Sequence, residues 1–330
     1  MKESIIKSSV VDKSKLKRGS KTALGLVYSL FRLIILLSIG FIIMYPLFYM
    51  IVTSFQSKYA FLNSTRVWIP SDTSIVNNYK VAIECLDYGK ALLSTLKNEI
   101  SSALLQMVSC AVAAYGFARF EFRGKRPMIF VLFLTILVPD MILIIPRMVN
   151  FSHLDFLGIF GLIAKLTGID LRLNVLNTSW TFWLPALFGV GLRSGILIYI
   201  YMQFFRGLPR ELEEAAWVDG AGPIKTFLAI AVPSSGVAIL TVTVFSLIWH
   251  WNDSLLCGIY LTNDFPLAMT LKDIETTIGI KYNMLVNYTN PEAMAYLMAG
   301  CVLFVTPMLI VYIILQRWFI ESIDRVGITG

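Results

Sequence analysis

Acidic side chains crowd one short stretch of this sequence: Glu211, Glu213, Glu214 and Asp219. Carboxylates at that density could act as general acids and bases. That chemistry needs a proton-shuttling partner, and no His or Lys stands beside them. Two other ionisable groups, Asp140 and Arg193, fall inside apolar segments. A charge there is costly, so such groups face a cavity or pair with one another. The run Trp249-His250-Trp251-Asn252-Asp253 sets aromatic faces beside an amide and a carboxylate. That combination suits a sugar, whose C–H faces pack on the rings while its hydroxyls bond the polar groups. An interfacial aromatic belt would give the same tryptophans.

Other chemistries are excluded or unsupported. Cys85, Cys110, Cys257 and Cys301 form no Cys-x-x-Cys pair, and His153 and His250 stand far apart. Neither a disulfide framework nor a metal site follows from that spacing. No G-x-x-x-x-G-K-[ST], no serine nucleophile elbow and no His-Glu-x-x-His occurs. The sequence therefore gives no catalytic residues, and any ATP-driven work would need an ATPase on another polypeptide.

The elements that must position these residues are set by lipid. Hydrophobic residues make up 57% of the 330 and charged residues only 15%, against about 25% charged in soluble domains. The mean hydropathy is +0.71. The net charge of +7 is concentrated near the amino terminus, at Lys2, Lys7, Lys13, Lys15, Lys17, Arg18 and Lys21. No aromatics interleave them, so a topogenic tail fits better than a nucleic-acid surface.

Taken in order, the chain reads as an all-α polytopic membrane protein with six transmembrane helices. A basic tail, 1–22, precedes a single membrane domain, 23–330. Apolar runs place spans at about 24–55, 92–117, 128–148, 181–205, 235–260 and 296–315, since a crossing takes about 20 residues. The first run is too long for a signal peptide and lacks a cleavage site. Lys97, Asn98 and Glu99 lie near the outer end of the second span, where they suit a vestibule. Pro139 and Pro146 kink the third span; Gly189, Gly191, Arg193 and Gly195 break the fourth. Asp140 and Arg193 each lie ~18 Å from the cytoplasmic ends of their spans, at ~1.5 Å per residue, so they are expected to pair or to flank one path. Lys and Arg favour the tail, the turn at 119–127 and the loop at 206–234, which puts both termini in the cytoplasm.

The loop at 206–234 carries the most specific signal. Glu214-Ala215-Ala216 is followed by Gly220 after three residues, by Ile230 after nine more and then by Pro233, with Asp219 just before the glycine. Acids after Pro209 start a helix, Gly220 and Gly222-Pro223 stop it, and a second short helix runs to Pro233. This register resembles the EAA loop of binding-protein-dependent ABC importer permeases, with Val232 where leucine is usual. The resemblance extends over most of the chain. Residues 201–214, Trp251-Asn252-Asp253 and the close Gln316-Arg317-Trp318-Phe319-Ile320 are similar to the carbohydrate, maltose-type branch. Two features depart from it: an insertion at 158–175, and a tail, 321–330, without the usual Gly-rich ending.

The resemblance implies a bacterial inner-membrane permease subunit of an ATP-driven importer, for a sugar or oligosaccharide, and not an enzyme. Glu214, Ala215, Ala216, Asp219, Gly220, Ile230 and Pro233 would dock in a cleft of the ATPase. Asp140, Arg193, Trp249, Trp251, Asn252 and Asp253 would line the translocation path. The implied partners are two copies of an ABC ATPase carrying the ATP and magnesium, a second homologous permease, an extracytoplasmic solute-binding protein and membrane lipid, with no nucleic acid. The chain itself would hold no cofactor and no metal. A permease for a non-sugar solute fits the same loop. An ion-coupled secondary transporter would show inverted repeats and several intramembrane carboxylates; a membrane enzyme would use Glu213, Glu214 and Asp219; a scaffold would need no such register.

Overall fold

The computed structural model describes residues 2–57, 59, 73–155, 158–287 and 289–327, with side chains for residue 25 and from 28 to 318 within those limits. Residues 60–72, the tail side chains at both termini, and Phe156-Leu157 lie outside what is described.

The first helix, α1 (Lys2–Phe55), continues back through the segment read as a basic tail. A short helix follows, α2 (Ile75–Leu86), and then the long α3, which runs Tyr88–Arg119. Within α3, Thr95–Ile100 forms a π turn. Its cause is local: Thr95 and Ser102 hydroxyls donate back to the carbonyls of Ala91 (2.8 Å) and Asn98 (2.5 Å), and Ser101 does the same to Lys97. Hydroxyl back-bonding of this kind loosens a helix.

The third expected span is two helices, α4 (Lys125–Leu137) and α5 (Asp140–Ser152), bent by 105°. Val138 and Pro139 take extended backbone between them, because the residue before a proline is driven out of the helical region. The segment expected to be an insertion holds α6 (Ile159–Thr167), closed at both ends by left-handed glycines, Gly158 and Gly168. Leu154 and Leu173 pair across its base as an isolated bridge.

The fourth expected span is likewise divided, into α7 (Trp180–Leu187) and α8 (Ser194–Gly207). The non-helical stretch between them is held by α3. Gln106 Nε2 donates to Leu192 O (2.6 Å) and Ser109 Oγ to Ala186 O (2.5 Å). Irregular backbone inside a membrane requires such internal partners.

Next come α9 (Glu211–Val218) and α10 (Pro223–Ser234), the latter bent by 82° from α11 (Gly236–Trp251). A break at 252–254 leads to α12 (Leu255–Tyr260). Two short helices, α13 (Leu267–Lys272) and α14 (Ile274–Tyr282), precede α15 (Pro291–Gly327).

Among the described residues there is no β-strand beyond isolated bridges, and the fold is all-α. Helices α3, α8 and α11 pack together around Cys110, Ala114, Tyr115, Tyr201 and Val242. Helices α1, α2 and α15 form a second group. Three helical stretches, Tyr28–Phe55, Tyr88–Arg119 and Pro291–Trp318, are long and apolar enough to cross a membrane; the bent pairs α4–α5 and α10–α11 raise this to as many as five. The fourth expected span is the divided α7–α8 pair, neither half of which is long enough to cross alone.

Candidate functional site

Two sites emerge, one at the Arg119 end of α3 and one at its π turn. The first is the loop that carries α9. Glu211, Glu213 and Glu214 occupy its first turn, where carboxylates meet the positive end of the helix. Glu214, Ala215, Asp219, Gly220 and Pro233 are exposed, and Ala216 and Ile230 are half-buried. Gly220 sits at φ 77° with open space where a Cβ would be. Its requirement is therefore conformational, not steric. Around the elbow, Leu212, Trp217, Val218, Ile224 and Leu228 are all exposed.

Glu213 is the exception to that exposure. The sequence suggests a solvated acid without a partner, whereas the structure buries it to 3% exposure. Its Oε1 lies 3.0 Å from Arg119 Nε and accepts the Tyr115 hydroxyl at 3.2 Å. The Arg119 Nε–H is not aimed at that oxygen, so the attraction is Coulombic. Arg119 Nη2 also donates to Leu208 O at 2.8 Å. Phe227 from α10 packs on Tyr115, ring centroids 4.9 Å apart, and Tyr115 packs on Phe205. The loop is thus clamped to the end of α3. The pairing joins positions too far apart in sequence for any spacing to expose it.

The second site is a polar chamber at the π turn of α3. The π turn turns Asn98 and Glu99 to the interior, and Glu99 is 1% exposed. The chamber holds a cavity of about 30 Å³ whose wall includes Glu99, Arg147, His250, Asp253 and Tyr260. Asp253 lies in the break after α11, and its Oδ1 accepts Leu256 N–H at 3.0 Å, capping α12. Asp140 is the first residue of α5 and lies within electrostatic reach of Asp253. Each acid thus sits at the positive end of a half-helix.

The other expected path residues scatter. Asp140 and Arg193 form no ion pair: the 105° bend at Pro139 invalidates a depth counted along a straight helix. Arg193, exposed and left-handed at φ 52°, instead lies 5.1 Å from the centroid of Trp249. Trp251 is core, packed on Phe304. Asn252 is exposed, with its amide turned back to Ile248 O. Only Asp253 reaches the chamber. Glu99 was legible as a vestibule residue; Cys257, His250 and Tyr260 carried no signal of convergence.

Residues 107–325 match the family described as binding-protein-dependent transport system inner membrane component. The chain belongs to that family. It is therefore a membrane-embedded subunit of a binding-protein-dependent ABC transport system, a transport component and not an enzyme, in a family whose members typically bind no cofactor themselves. It is 27% identical over 88% of its length to an osmoprotective compounds uptake permease protein of Synechocystis, of which 89% is covered. It is 25% identical, again over 88%, to an arabinooligosaccharides transport system permease protein of Halalkalibacterium halodurans, of which 93% is covered. A solved bacterial ABC transporter involved in import of the acidic polysaccharide alginate shares the fold, with a TM-score of 0.66 at 18% identity, over 89% of this chain and 96% of that one.

Proposed function

We propose that this chain is the permease of an ATP-driven importer for a saccharide, coupled to its ATPase through the loop at 206–234. The observation that carries this is the EAA register standing on an exposed helix that is clamped to the transmembrane core by Glu213 and Arg119. Glu214, Ala215 and Gly220 face outward, free to enter a cleft on a soluble partner, with Ala216 half-buried beside them. The exposed Leu212, Trp217, Val218, Ile224 and Leu228 give that partner an apolar surface to cover. Large exposed apolar patches mark such interfaces.

The partners in this reading are two ATPase copies holding ATP and magnesium, a second homologous permease and a solute-binding protein. Six crossings with both termini in the cytoplasm place the loop on the ATPase side, the divided α7–α8 pair supplying one crossing. Saccharide is the substrate class supported by relatives named for arabinooligosaccharides, diacetylchitobiose and alpha-glucoside. Relatives named for sn-glycerol-3-phosphate and osmoprotective compounds favour a second reading, a smaller polar solute.

The test is purification of the tagged chain in mild detergent from its own host, with its companions identified by mass spectrometry and reconstituted in liposomes. Expected are a P-loop ATPase, a second permease and uptake that requires ATP and the binding protein. A chain that purifies alone, or uptake driven by an ion gradient without ATP, refutes the proposal. Competition among unlabelled oligosaccharides, glycerol phosphate and small osmolytes then separates the two substrate readings.

A further inference from the structure

The fold brings together three groups that the sequence keeps far apart. Donor atoms of Glu99, Asp253 and Cys257 all lie within 4.8 Å of one another. Glu99 comes from the π turn of α3, Asp253 from the break after α11, and Cys257 from the first turns of α12. Glu99 and Cys257 are at most 1% exposed and Asp253 is 9% exposed. Neither carboxylate takes part in any of the ion pairs among the described residues. Arg147 lines the adjoining cavity without closing a bridge to either.

A second observation points to a ligand. Glu99 Oε2 is buried and unpartnered, and so is the Tyr260 hydroxyl; both residues line the cavity of about 30 Å³. That volume admits roughly one or two water-sized occupants. An unpaired buried oxygen on an acid is costly unless something meets it. His250, on the same wall, donates Nδ1–H to Ser246 O at 2.9 Å, which leaves its Nε2 as an acceptor facing outward from that bond.

We infer that Glu99, Asp253 and Cys257 form a binding site for one divalent transition-metal ion, with zinc the best match. Two carboxylates and a thiolate are a zinc donor set, and tetrahedral ligands at ~2.0–2.3 Å from the metal stand ~3.3–3.8 Å apart, inside the observed spread. Magnesium and calcium prefer all-oxygen shells and would not use the sulfur. The fourth position falls to water in the cavity. On binding, the Cys257 S–H that donates to Glu99 Oε1 at 3.1 Å gives its proton to solvent, and the sulfur and the freed oxygen both turn to the metal. The site ties α3 to α12, and it does not depend on the import reading.

The experiment uses the full-length chain, purified with chelator, with Cys85, Cys110 and Cys301 replaced by alanine so that Cys257 is the sole thiol. Titration with cobalt chloride should give one equivalent bound and a sulfur-to-cobalt charge-transfer absorption. Titration with zinc chloride should raise the melting temperature and release one proton per ion. Cys257→Ser should remove the absorption, and Glu99→Gln should weaken zinc binding at least tenfold while melting normally without metal. Absence of the cobalt absorption in the parent protein overturns the site whatever the variants do. So does its persistence in Cys257→Ser. A zinc-induced rise in melting temperature that is unchanged in Glu99→Gln also overturns it.

Discussion

Glu213 and Arg119 hold the exposed loop to the membrane core, and breaking that hold should detach the loop without unfolding the protein. Their side chains are 4% and 5% exposed and the charged atoms stand 3.0 Å apart. At an effective dielectric near 20 the attraction is ~5 kcal/mol, set against the cost of keeping both charges from water. Removing one partner strands the other, which costs about 3–5 kcal/mol. Glu213→Gln leaves Arg119 with Leu208 O as its acceptor, so the lower end, about 3 kcal/mol, applies. That is roughly a hundredfold rise in local opening. Amide hydrogen exchange over 211–220, measured by mass spectrometry on the purified chain, should accelerate by that factor while the α3–α8 core is unchanged. Arg119→Met should cost more, since it also frees Leu208 O. The double variant should recover at least ~1 kcal/mol relative to the sum of the singles, because no stranded charge remains. Single variants within about 0.5 kcal/mol of the parent, the ordinary surface range, would refute the reasoning. So would strict additivity.

Gly220→Val places a branched residue at φ 77° with no neighbour to strike; about 2 kcal/mol of backbone strain should abolish transport-linked ATP hydrolysis in the reconstituted complex while the global melting temperature holds. Gly195→Ala would put its Cβ 2.7 Å from Thr135 Oγ1 and 2.9 Å from Ile136 Cγ1, so α4 and α8 must separate, lowering stability by about 1–3 kcal/mol in thermal melts. Asn78 donates 2.9 Å bonds to both Ser54 O and Gln56 O; Asn78→Leu strands two carbonyls and should cost about 2 kcal/mol or more. The Asp170 carboxyl is held down to about 2 by its bond to Arg172. Its contribution is therefore complete above the ordinary 3.8 and lost as pH falls through about 2. Asp170→Asn should lower the melting temperature at neutral pH only slightly, because both partners are exposed and solvent screens the pair.

What the sequence made legible was local. Gly220, Gly222 and Pro223 punctuate the backbone wherever they occur, so the helix–elbow–helix of the loop followed from composition alone. Apolar length made three long helices legible, and Tyr28–Phe55, Tyr88–Arg119 and Pro291–Trp318 stand where the first, second and sixth spans were expected. Pro139 announced a bend and Gly189 and Gly191 a break, but not an angle of 105°, and that angle undid the expected pairing of Asp140 with Arg193. The burial of Glu213 rests on Arg119, and the chamber on Glu99 meeting Asp253 and Cys257. Both depend on which helices pack together, and no periodicity encodes that in a chain whose apolar faces all look alike to lipid.

Helix α3 carries Arg119 at one end and Glu99 some twenty residues away, ~30 Å along its axis. Helix α11 runs beside it from the 82° elbow to His250. Two cross-links tie them midway, Ser246 Oγ to Ala103 O at 3.2 Å and Thr243 Oγ1 to Met107 Sδ at 2.8 Å. Those bonds fall between Glu99 and Arg119 on α3, so any rigid tilt of the helix about them would move its two functional ends in opposite directions. The loop and the chamber are thus the two arms of one lever, and the π turn lies on the chamber arm.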